Sequence, residues 1–317
     1  MGWLEKLARD PVPWLLDPVN PSARLLTLRD IFQRPAEELA RERKALRAWD
    51  PVQQLLMEAD VDNFWGRATN PYFGGSLGTF GTLYALAQIG VPAGPITRRA
   101  SESLFSTGQI ADGRFALSAR WPQIWLCYTG MALQILWHFG WGDDPRTATA
   151  RAILVQIINR QPERLTCPLS GGGCMSGETK ALAGLLSIPV EQREAAVQEA
   201  IATLAERLLT QAVKLPKSSG PEAPQRQLNF PRYYNSDLSE LVYLLARAGW
   251  QDHPRLREIL RELLTWQTPQ GRWRKARGTG GRLDVEPDYQ PSRWLTWQVV
   301  AAVVLAYEPE DNPYART

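Results

Sequence analysis

A helical hairpin unit recurs along this sequence, and the repetition constrains the fold more than any other feature. In each copy an apolar helix is followed by a short polar connection, a second amphipathic helix, and a loop containing glycine and an aromatic residue. In the copy at residues 235–273, the turn Gly249-Trp250 ends one helix and Pro254 opens the next. Hairpins that each bury one face must pack on their neighbours, so we expect a solenoid or a closed ring.

Further copies of the unit precede and follow this one. The predicted helix pairs are 77–90 with 97–107, 129–139 with 148–160, and 176–188 with 190–213. A helix at 294–307 opens a last unit, and residues 11–65 are expected to supply a divergent first one. Since no strand-like alternation of any length occurs, we predict an all-α fold. We expect it to be a single domain over 1–317, with 1–50 as its divergent N-terminal helical part.

Composition narrows the class of protein and its location. The chain has 317 residues, of which 44% are hydrophobic, and its formal net charge is only +3, which argues against a dedicated nucleic-acid binder. Three cysteines cannot form a disulfide framework, and the first residues do not resemble a signal peptide. The longest apolar stretch, 299–307, is far shorter than the roughly 20 residues of a membrane-spanning helix. These features predict a cytoplasmic protein without a transmembrane segment.

Two polar stretches interrupt the repeat. Residues 215–232 are rich in proline and serine, and residues 274–293 combine three glycines with a run of acidic residues. Long irregular loops within a compact domain are frequently lids or binding loops. We therefore treat both as insertions into the ring of hairpins.

The closing loops of the repeat carry a resemblance to a known family. Residues 267–273 read Gln-x-x-x-Gly-x-Trp, and residues 109–115 repeat this pattern with Phe in the last place. The pattern resembles the repeat motif of squalene–hopene cyclases and related triterpene cyclases, and the hairpins resemble those of protein prenyltransferase β subunits. The chain is most similar to the small single-toroid cyclase-like proteins of bacteria. This resemblance, which covers roughly residues 50–307, implies an α/α toroid with inner and outer helices around a central cavity.

The resemblance also directs attention to acidic residues. Class II terpene cyclases protonate an alkene with the middle Asp of Asp-x-Asp-Asp, whereas residues 60–63 here read Asp-Val-Asp-Asn. This segment directly precedes Trp65, where the repeat places its closing aromatic residue, so a degenerate loop explains it better than a catalytic acid. If the chain is an enzyme, the candidate acids are Asp237, Glu178 and Asp60. The missing last Asp puts protonation-initiated cyclisation in doubt.

The three cysteines are a candidate metal site. Cys167 and Cys174 flank a glycine-rich turn, and Cys127 opens a helix one repeat earlier. Because successive inner helices of a toroid begin at the same rim, these thiols are expected to be neighbours. Three thiolates and a fourth ligand such as Asp237 suit tetrahedral zinc, although buried free cysteine is also common.

Aromatic residues gather near the starts of the first helix in each hairpin. They include Tyr72, Phe73, Phe80 and Trp121, and the six that we predict to line a ligand site are Trp125, Tyr128, Tyr233, Tyr234, Trp294 and Trp297. Ring faces attract cations and carbocations, which suits isoprenoid chemistry. Ordinary core packing would also use these side chains.

The leading functional hypothesis is a toroid that binds, and in some form transforms, a hydrophobic isoprenoid-type molecule in its central cavity. The expected partner is thus a hydrophobic small molecule, with peripheral membrane contact as a further option and no nucleic acid. Two alternatives stay open. One is a non-catalytic toroid that binds a protein or peptide, which an open polar cavity would favour. The other is a toroidal glycan-active enzyme, which needs two carboxylates such as Glu178 and Asp237 facing each other across the cavity.

Overall fold

The computed structural model describes residues 2–62, 64–67, 70–72, 74–213, 224–278, 280–307 and 312–314. The α-helices of this part are α1 Val12–Leu15, α2 Pro21–Asp30, α3 Ala40–Arg47, α4 Asp50–Met57, α5 Thr79–Gln88, α6 Pro95–Glu102, α7 Leu104–Thr107, α8 Leu126–His138, α9 Pro145–Arg160, α10 Met175–Leu186, α11 Ala195–Val213, α12 Leu238–Arg247, α13 Pro254–Thr265 and α14 Arg293–Ala306. Its strands are β1 Thr166–Cys167, β2 Gly172–Gly173, β3 Trp273–Arg274 and β4 Pro291–Ser292. The predicted all-α fold is confirmed, since each strand has only two residues.

Two predicted helices are shorter or interrupted in the structure. The run expected at 97–107 is broken at Ser103, whose hydroxyl donates to the carbonyl of Ala100 and which separates α6 from α7. The run expected from residue 190 begins as a 3₁₀ turn, and α11 itself starts at Ala195. In both places a local polar contact or a turn competes with the apolar periodicity.

Five parallel helices, α5, α8, α10, α12 and α14, form most of an inner layer, and each packs against the next. Gly130 of α8 lies so close to the backbone of Lys180 in α10 that any side chain at Gly130 would collide with it. The starts of α10 and α12 are joined by a hydrogen bond from the Ser236 amide to the Ser176 hydroxyl at 3.1 Å. Small residues and short polar links thus bring the inner helices into register.

Helix α2 closes the ring. Trp294 of α14 donates its indole N–H to the Ser22 hydroxyl at 2.7 Å, and Ser22 donates onward to the carbonyl of Ile89 at the end of α5 at 2.8 Å. The predicted divergent first unit therefore places a helix between the last and the first inner helices of the repeat. An outer layer surrounds this ring: α3 packs on α2, α6 on α5, α9 on α8, α11 on α10 and α13 on α12.

The closing loops follow one pattern. In three copies, the backbone N–H of the aromatic residue donates to a threonine at the start of the next inner helix. The pairs are Trp65–Thr79 at 2.9 Å, Phe115–Thr129 at 3.1 Å and Trp273–Thr296 at 3.1 Å. In the 267–273 loop, Gly271 has φ of +80°, and a side chain there would meet the carbonyl of Arg9, so glycine is required.

The two insertions have different structures. Residues 215–223 lie outside the described residues, but the last part of this insertion enters the ring and brings Phe230 and Arg232 to the axis. In 274–293, strands β3 and β4 pair at the base, and the acidic residues fold around Lys275. That buried ammonium donates to Asp284 and to the carbonyl of Glu286. Asp284 and Asp288 of this insertion thus pair with a local cation, whereas the Glu286 carboxylate accepts the Arg293 amide.

Candidate functional site

A chamber of about 250 Å³ lies on the axis of the ring. All six helices of the inner layer contribute to its wall: Arg29 from α2, Gln88 from α5, His138 from α8, Ala183 from α10, Tyr243 from α12 and Trp297 from α14. Side chains from every inner helix therefore meet in this one cavity. It is therefore the primary candidate site.

The floor of the chamber is formed by the loop that enters the ring. Phe230 presents its ring, which lies 6.1 Å from that of Trp297 in an edge-on arrangement. Beside it, the Arg232 guanidinium holds both carboxylate oxygens of Asp237 at 2.8 Å and donates to Gln298 at 2.8 Å. The floor combines an aromatic surface with a fully paired cation.

A second buried ion pair lies next to the first, since Glu240 is 3.9 Å from the Arg232 guanidinium. Lys180 is fully buried, and its ammonium donates to both oxygens of Glu240 at 2.8 Å. Burial lowers the pKa of Lys180, although the neighbouring Glu240 carboxylate opposes this effect. Glu240 also lines the chamber, so this pair gives the wall a polar part in which both charges are paired.

At the mouth of the chamber, Asp30 collects donors from several helices. Arg29 binds it with two hydrogen bonds of 2.6 and 2.8 Å, and the Tyr243 hydroxyl and Trp297 indole N–H donate at 3.0 and 3.1 Å. Burial would raise the pKa of Asp30, but the Arg29 charge and these donors lower it. Asp30 is therefore an ionised anchor that orients the rings of Tyr243 and Trp297 along the wall.

His138 also faces the chamber. Its Nε2 lies 2.7 Å from the carbonyl of Val91, a geometry that requires a proton on this nitrogen. Burial, together with the charges of Arg29 and Arg43, lowers the pKa of His138. The ring is thus neutral at physiological pH and contributes a polar but uncharged surface.

A depression of about 450 Å³ lies at the rim where α10 and α12 begin. Its lining includes the predicted residues Tyr233 and Tyr234, with Ser76, Ser176 and Asn235. The two tyrosine rings meet edge-on at 5.3 Å, and Tyr234 is half exposed. These two aromatic residues therefore face a polar hollow at the rim and not the axial chamber.

A third concavity, an open cleft of about 680 Å³, lies beside the hairpin of β1 and β2. Trp125 lines it with the Arg114 guanidinium stacked 4.9 Å from the ring centre, and Cys167 lies at its edge. Four of the six aromatic residues that we predicted as one lining are thus distributed over three separate concavities.

The remaining predicted aromatics pack in the protein interior. Trp294 is fully buried, with its ring edge-on to Trp49 at 6.2 Å. Tyr128 contacts the ring of Tyr72 at 4.5 Å and shares a hydrogen bond with Tyr233. Phe73 lies outside the described residues. Of the predicted lining residues, Trp297 is the one that reaches the axial chamber.

The three candidate acids are engaged by other groups. Glu178 is fully buried and holds Arg207 through two hydrogen bonds of 2.8 and 2.9 Å. Asp237 caps α12, accepts the amides of Ser239 and Glu240, and pairs with Arg232; burial would raise its pKa, but the Arg232 charge and these donors lower it. A lowered pKa makes Asp237 a poor proton donor. Their catalytic roles stay predictions, against which these pairings weigh.

Asp60 lies in an exposed rim loop, where its side chain accepts the amides of Asp62 and Phe64 at 3.0 and 2.9 Å. These contacts shape the turn before Trp65, and Asn63, the last residue of the motif-like segment, lies outside the described residues. The geometry is that of a loop-stabilising aspartate.

The predicted thiols lie in one neighbourhood. Burial and then the charges of Cys174 and Cys167 raise the pKa of Cys127 to about 12, and burial raises the pKa of Cys174. The Cys174 sulfur accepts the Gly177 amide at 3.3 Å as the cap of α10. Within the described ranges, no group of three or more His, Cys, Asp or Glu side chains is arranged to hold a metal ion. The zinc site stays a prediction.

Sequence analysis missed the charged residues of the axis. Lys180 and Glu240 are charged residues at buried positions of two mainly apolar helices, and they contact each other across neighbouring inner helices. A charge on the apolar face of a core helix was the available signal. Arg29 and Asp30 gave no such signal, because they end a short helix in the least regular part of the repeat.

No family model matches this chain, and no curated protein matches it either. Among solved structures, it is similar to a protein from Actinoplanes with 17% identity and a TM-score of 0.43, over 92% of this chain and 89% of that one. It is also similar to variants of the type II terpene cyclase MstE from Scytonema. One is in complex with geranylgeranyl dihydroxybenzoate (15% identity, TM-score 0.32) and one with merosterolic acid A (14%, 0.31), each covering 92% of this chain and 99% of that one. At such identities and TM-scores the similarity is no evidence of function.

Proposed function

We propose that this protein binds a compact isoprenoid-type ligand in the axial chamber. The observation that carries the proposal is the chamber itself, to which every inner helix contributes and in which the rings of Trp297, Tyr243 and Phe230 form an apolar surface. Aromatic walls with a few placed polar groups are typical of small-molecule sites. The resemblance of the closing loops to those of triterpene cyclases supports an isoprenoid as the ligand class.

The size of the chamber limits the ligand. Small-molecule sites typically measure about 300 to 1,000 Å³, and this chamber of about 250 Å³ lies just below that range. A prenyl chain of about ten carbons therefore suits it better than a thirty-carbon chain such as squalene.

The proposal is for binding and not for cyclisation. A protonating acid needs a raised pKa, whereas Asp237 is held ionised by Arg232 and Glu178 is occupied by Arg207. The same pairings argue against the glycan-active alternative, which requires two free carboxylates facing a sugar.

Isothermal titration calorimetry with geraniol, geranic acid and squalene tests this function. We expect one of the ten-carbon compounds to bind and squalene not to bind. Ala87→Leu, which adds bulk to the chamber wall without removing a hydrogen bond, is expected to abolish binding. Ala152→Leu makes the same change on an exposed position of outer helix α9 and is the matched control. If neither ten-carbon compound binds the unaltered protein, the proposal is wrong.

We further propose a peripheral membrane contact at one rim. Among the described residues, seven exposed large hydrophobic side chains lie in the loops that lead into the parallel inner helices. They are Val61, Leu77, Trp121, Leu169, Tyr234, Val285 and Tyr289. None of the described helices is long and apolar enough to cross a membrane. Separate apolar and aromatic side chains around one rim are suited to shallow insertion at a lipid surface.

A further inference from the structure

The charges at the axis can be assigned to partners one by one. Arg29 is paired with Asp30, Arg232 with Asp237, and Lys180 with Glu240, all at hydrogen-bond distances. Each of these pairs is internally neutral. Whatever net charge the chamber presents must therefore come from another residue.

Arg247 is that residue. It ends α12, lines the chamber and is exposed at its mouth. Its guanidinium stacks on the Tyr243 ring at 5.5 Å, and among the described residues no carboxylate lies within ion-pair distance of it. Since a guanidinium offers five N–H donors in a planar fork, most of its hydrogen-bonding capacity is free for a ligand.

The charge of Arg247 helps to lower the pKa of Asp30, but that carboxylate is already bound by Arg29, and the other neighbours of Arg247 include further cations. Arg193 spends its donors on the carbonyls of Leu186 and Ile188, and burial and then the charge of Arg247 lower its pKa. Arg43, whose charge lowers the pKa of His138 in the chamber wall, donates to the carbonyl of Ala36 and has no carboxylate partner in the described part of the chain. The mouth thus has a positive electrostatic potential, which favours the binding of an anion.

We propose that the ligand of the chamber carries an oxyanion, either a carboxylate or a phosphate, which binds Arg247 at the mouth. The inference rests on the proposed function, because it assigns the polar end of the same ligand. The prenyl chain then points inward against Trp297 and Phe230, while the head group stays at the mouth, where water completes its solvation. A cation is disfavoured there, since the donors of Arg29, Tyr243 and Trp297 already occupy Asp30.

Calorimetry with three ligands of the same chain length tests the inference: geraniol, geranic acid and geranyl monophosphate. We expect at least one of the two anions to bind about tenfold more tightly than geraniol, as a charge-assisted hydrogen bond to guanidinium would give. Added salt should weaken the anions and leave geraniol unchanged. The tighter of the two anions identifies the head group.

Arg247→Gln is expected to remove most of that difference, whereas Arg99→Gln, on an exposed position of outer helix α6, should preserve it. Equal affinity for geraniol and both anions would overturn the inference and leave the proposed function intact. A preference for anions that survives in Arg247→Gln would also overturn it, because the head group would then bind elsewhere. If none of the three compounds binds, the proposed function itself fails.

Discussion

At the scale of single residues, the buried pair of Lys180 and Glu240 is the most consequential contact of the axis. Removing one partner leaves an uncompensated charge in the interior, which typically costs about 3–5 kcal/mol. We expect Lys180→Met to lower the free energy of unfolding by this amount in urea denaturation. The exposed pair of Arg255 and Glu258 serves as control, since Arg255→Ala should cost less than about 1 kcal/mol.

The double variant Lys180→Met/Glu240→Leu distinguishes two quantities. One is the stability lost when a single partner is removed, and the other is the net stability that the intact pair contributes. Because both charges are gone, it should recover most of the stability lost in the single variant. A double variant as unstable as Lys180→Met would show that the pair contributes net stability.

His138 makes stability depend on pH in a defined window. Burial holds its pKa below the ordinary value of about 6.5. The unfolded chain therefore binds a proton more readily than the folded chain. The contribution of neutral His138 is complete above pH 6.5 and is lost as pH falls below it, with a slope approaching about 1.4 kcal/mol per pH unit.

Urea denaturation between pH 7 and pH 5.5 measures this slope. His138→Gln retains an N–H donor for the carbonyl of Val91 but does not titrate, so its slope should be much shallower. His253→Gln, at the cap of α13, should keep the slope of the unaltered protein. Identical slopes in the unaltered protein and His138→Gln would contradict the assignment.

At the scale of helices and loops, the closing aromatic residues join outer to inner layers. Trp273 is fully buried and donates its indole N–H to the carbonyl of Leu263 at 2.8 Å, and Trp65 makes the same contact with Leu55. Trp273→Phe removes the donor and leaves a buried carbonyl unpaired. We expect a loss of about 1–3 kcal/mol in urea denaturation.

Trp65→Phe should cost a similar amount, because the loop geometry is repeated. Trp121→Phe changes an exposed ring at the rim and should have almost no effect. If Trp273→Phe is as mild as Trp121→Phe, then the indole contact does not hold the loop.

Much of the helix and turn structure could be predicted from the sequence, because apolar periodicity and turn residues determine the local conformation of the chain. The expected helix 294–307 is α14 to within one residue at each end, and Gly140 adopts the positive φ that its place after a helix requires. Pro254 opens α13 as expected, and His253 caps it, since its Nδ1 accepts the Arg255 amide. The candidate site was harder to predict from the sequence, since Arg29 and Arg247 come together only when helices that are distant along the chain have packed.

At the scale of the whole molecule, one rim differs from the other in exposed apolar side chains. Flotation with phosphatidylcholine vesicles tests whether this rim binds lipid. We expect the protein to float with the vesicles and Trp121→Ser/Leu169→Ser to reduce the bound fraction several-fold, since both side chains are exposed there. Val190→Ser, before outer helix α11, changes an exposed apolar residue outside these loops and should bind as the unaltered protein does. Equal flotation of all three proteins, or none, would contradict the proposed contact.

The closure of the ring through Ser22 has a consequence for biosynthesis. The hydroxyl of Ser22 receives the indole of a residue 272 positions later, so this seam is among the most distant contacts that the chain makes. A helix hairpin can form as soon as it leaves the ribosome, but the seam must wait until α14 has emerged. Until then α2 exposes the face that α14 will cover, and the nascent chain is an open arc. We therefore expect aggregation or chaperone binding during synthesis to involve this exposed face of α2.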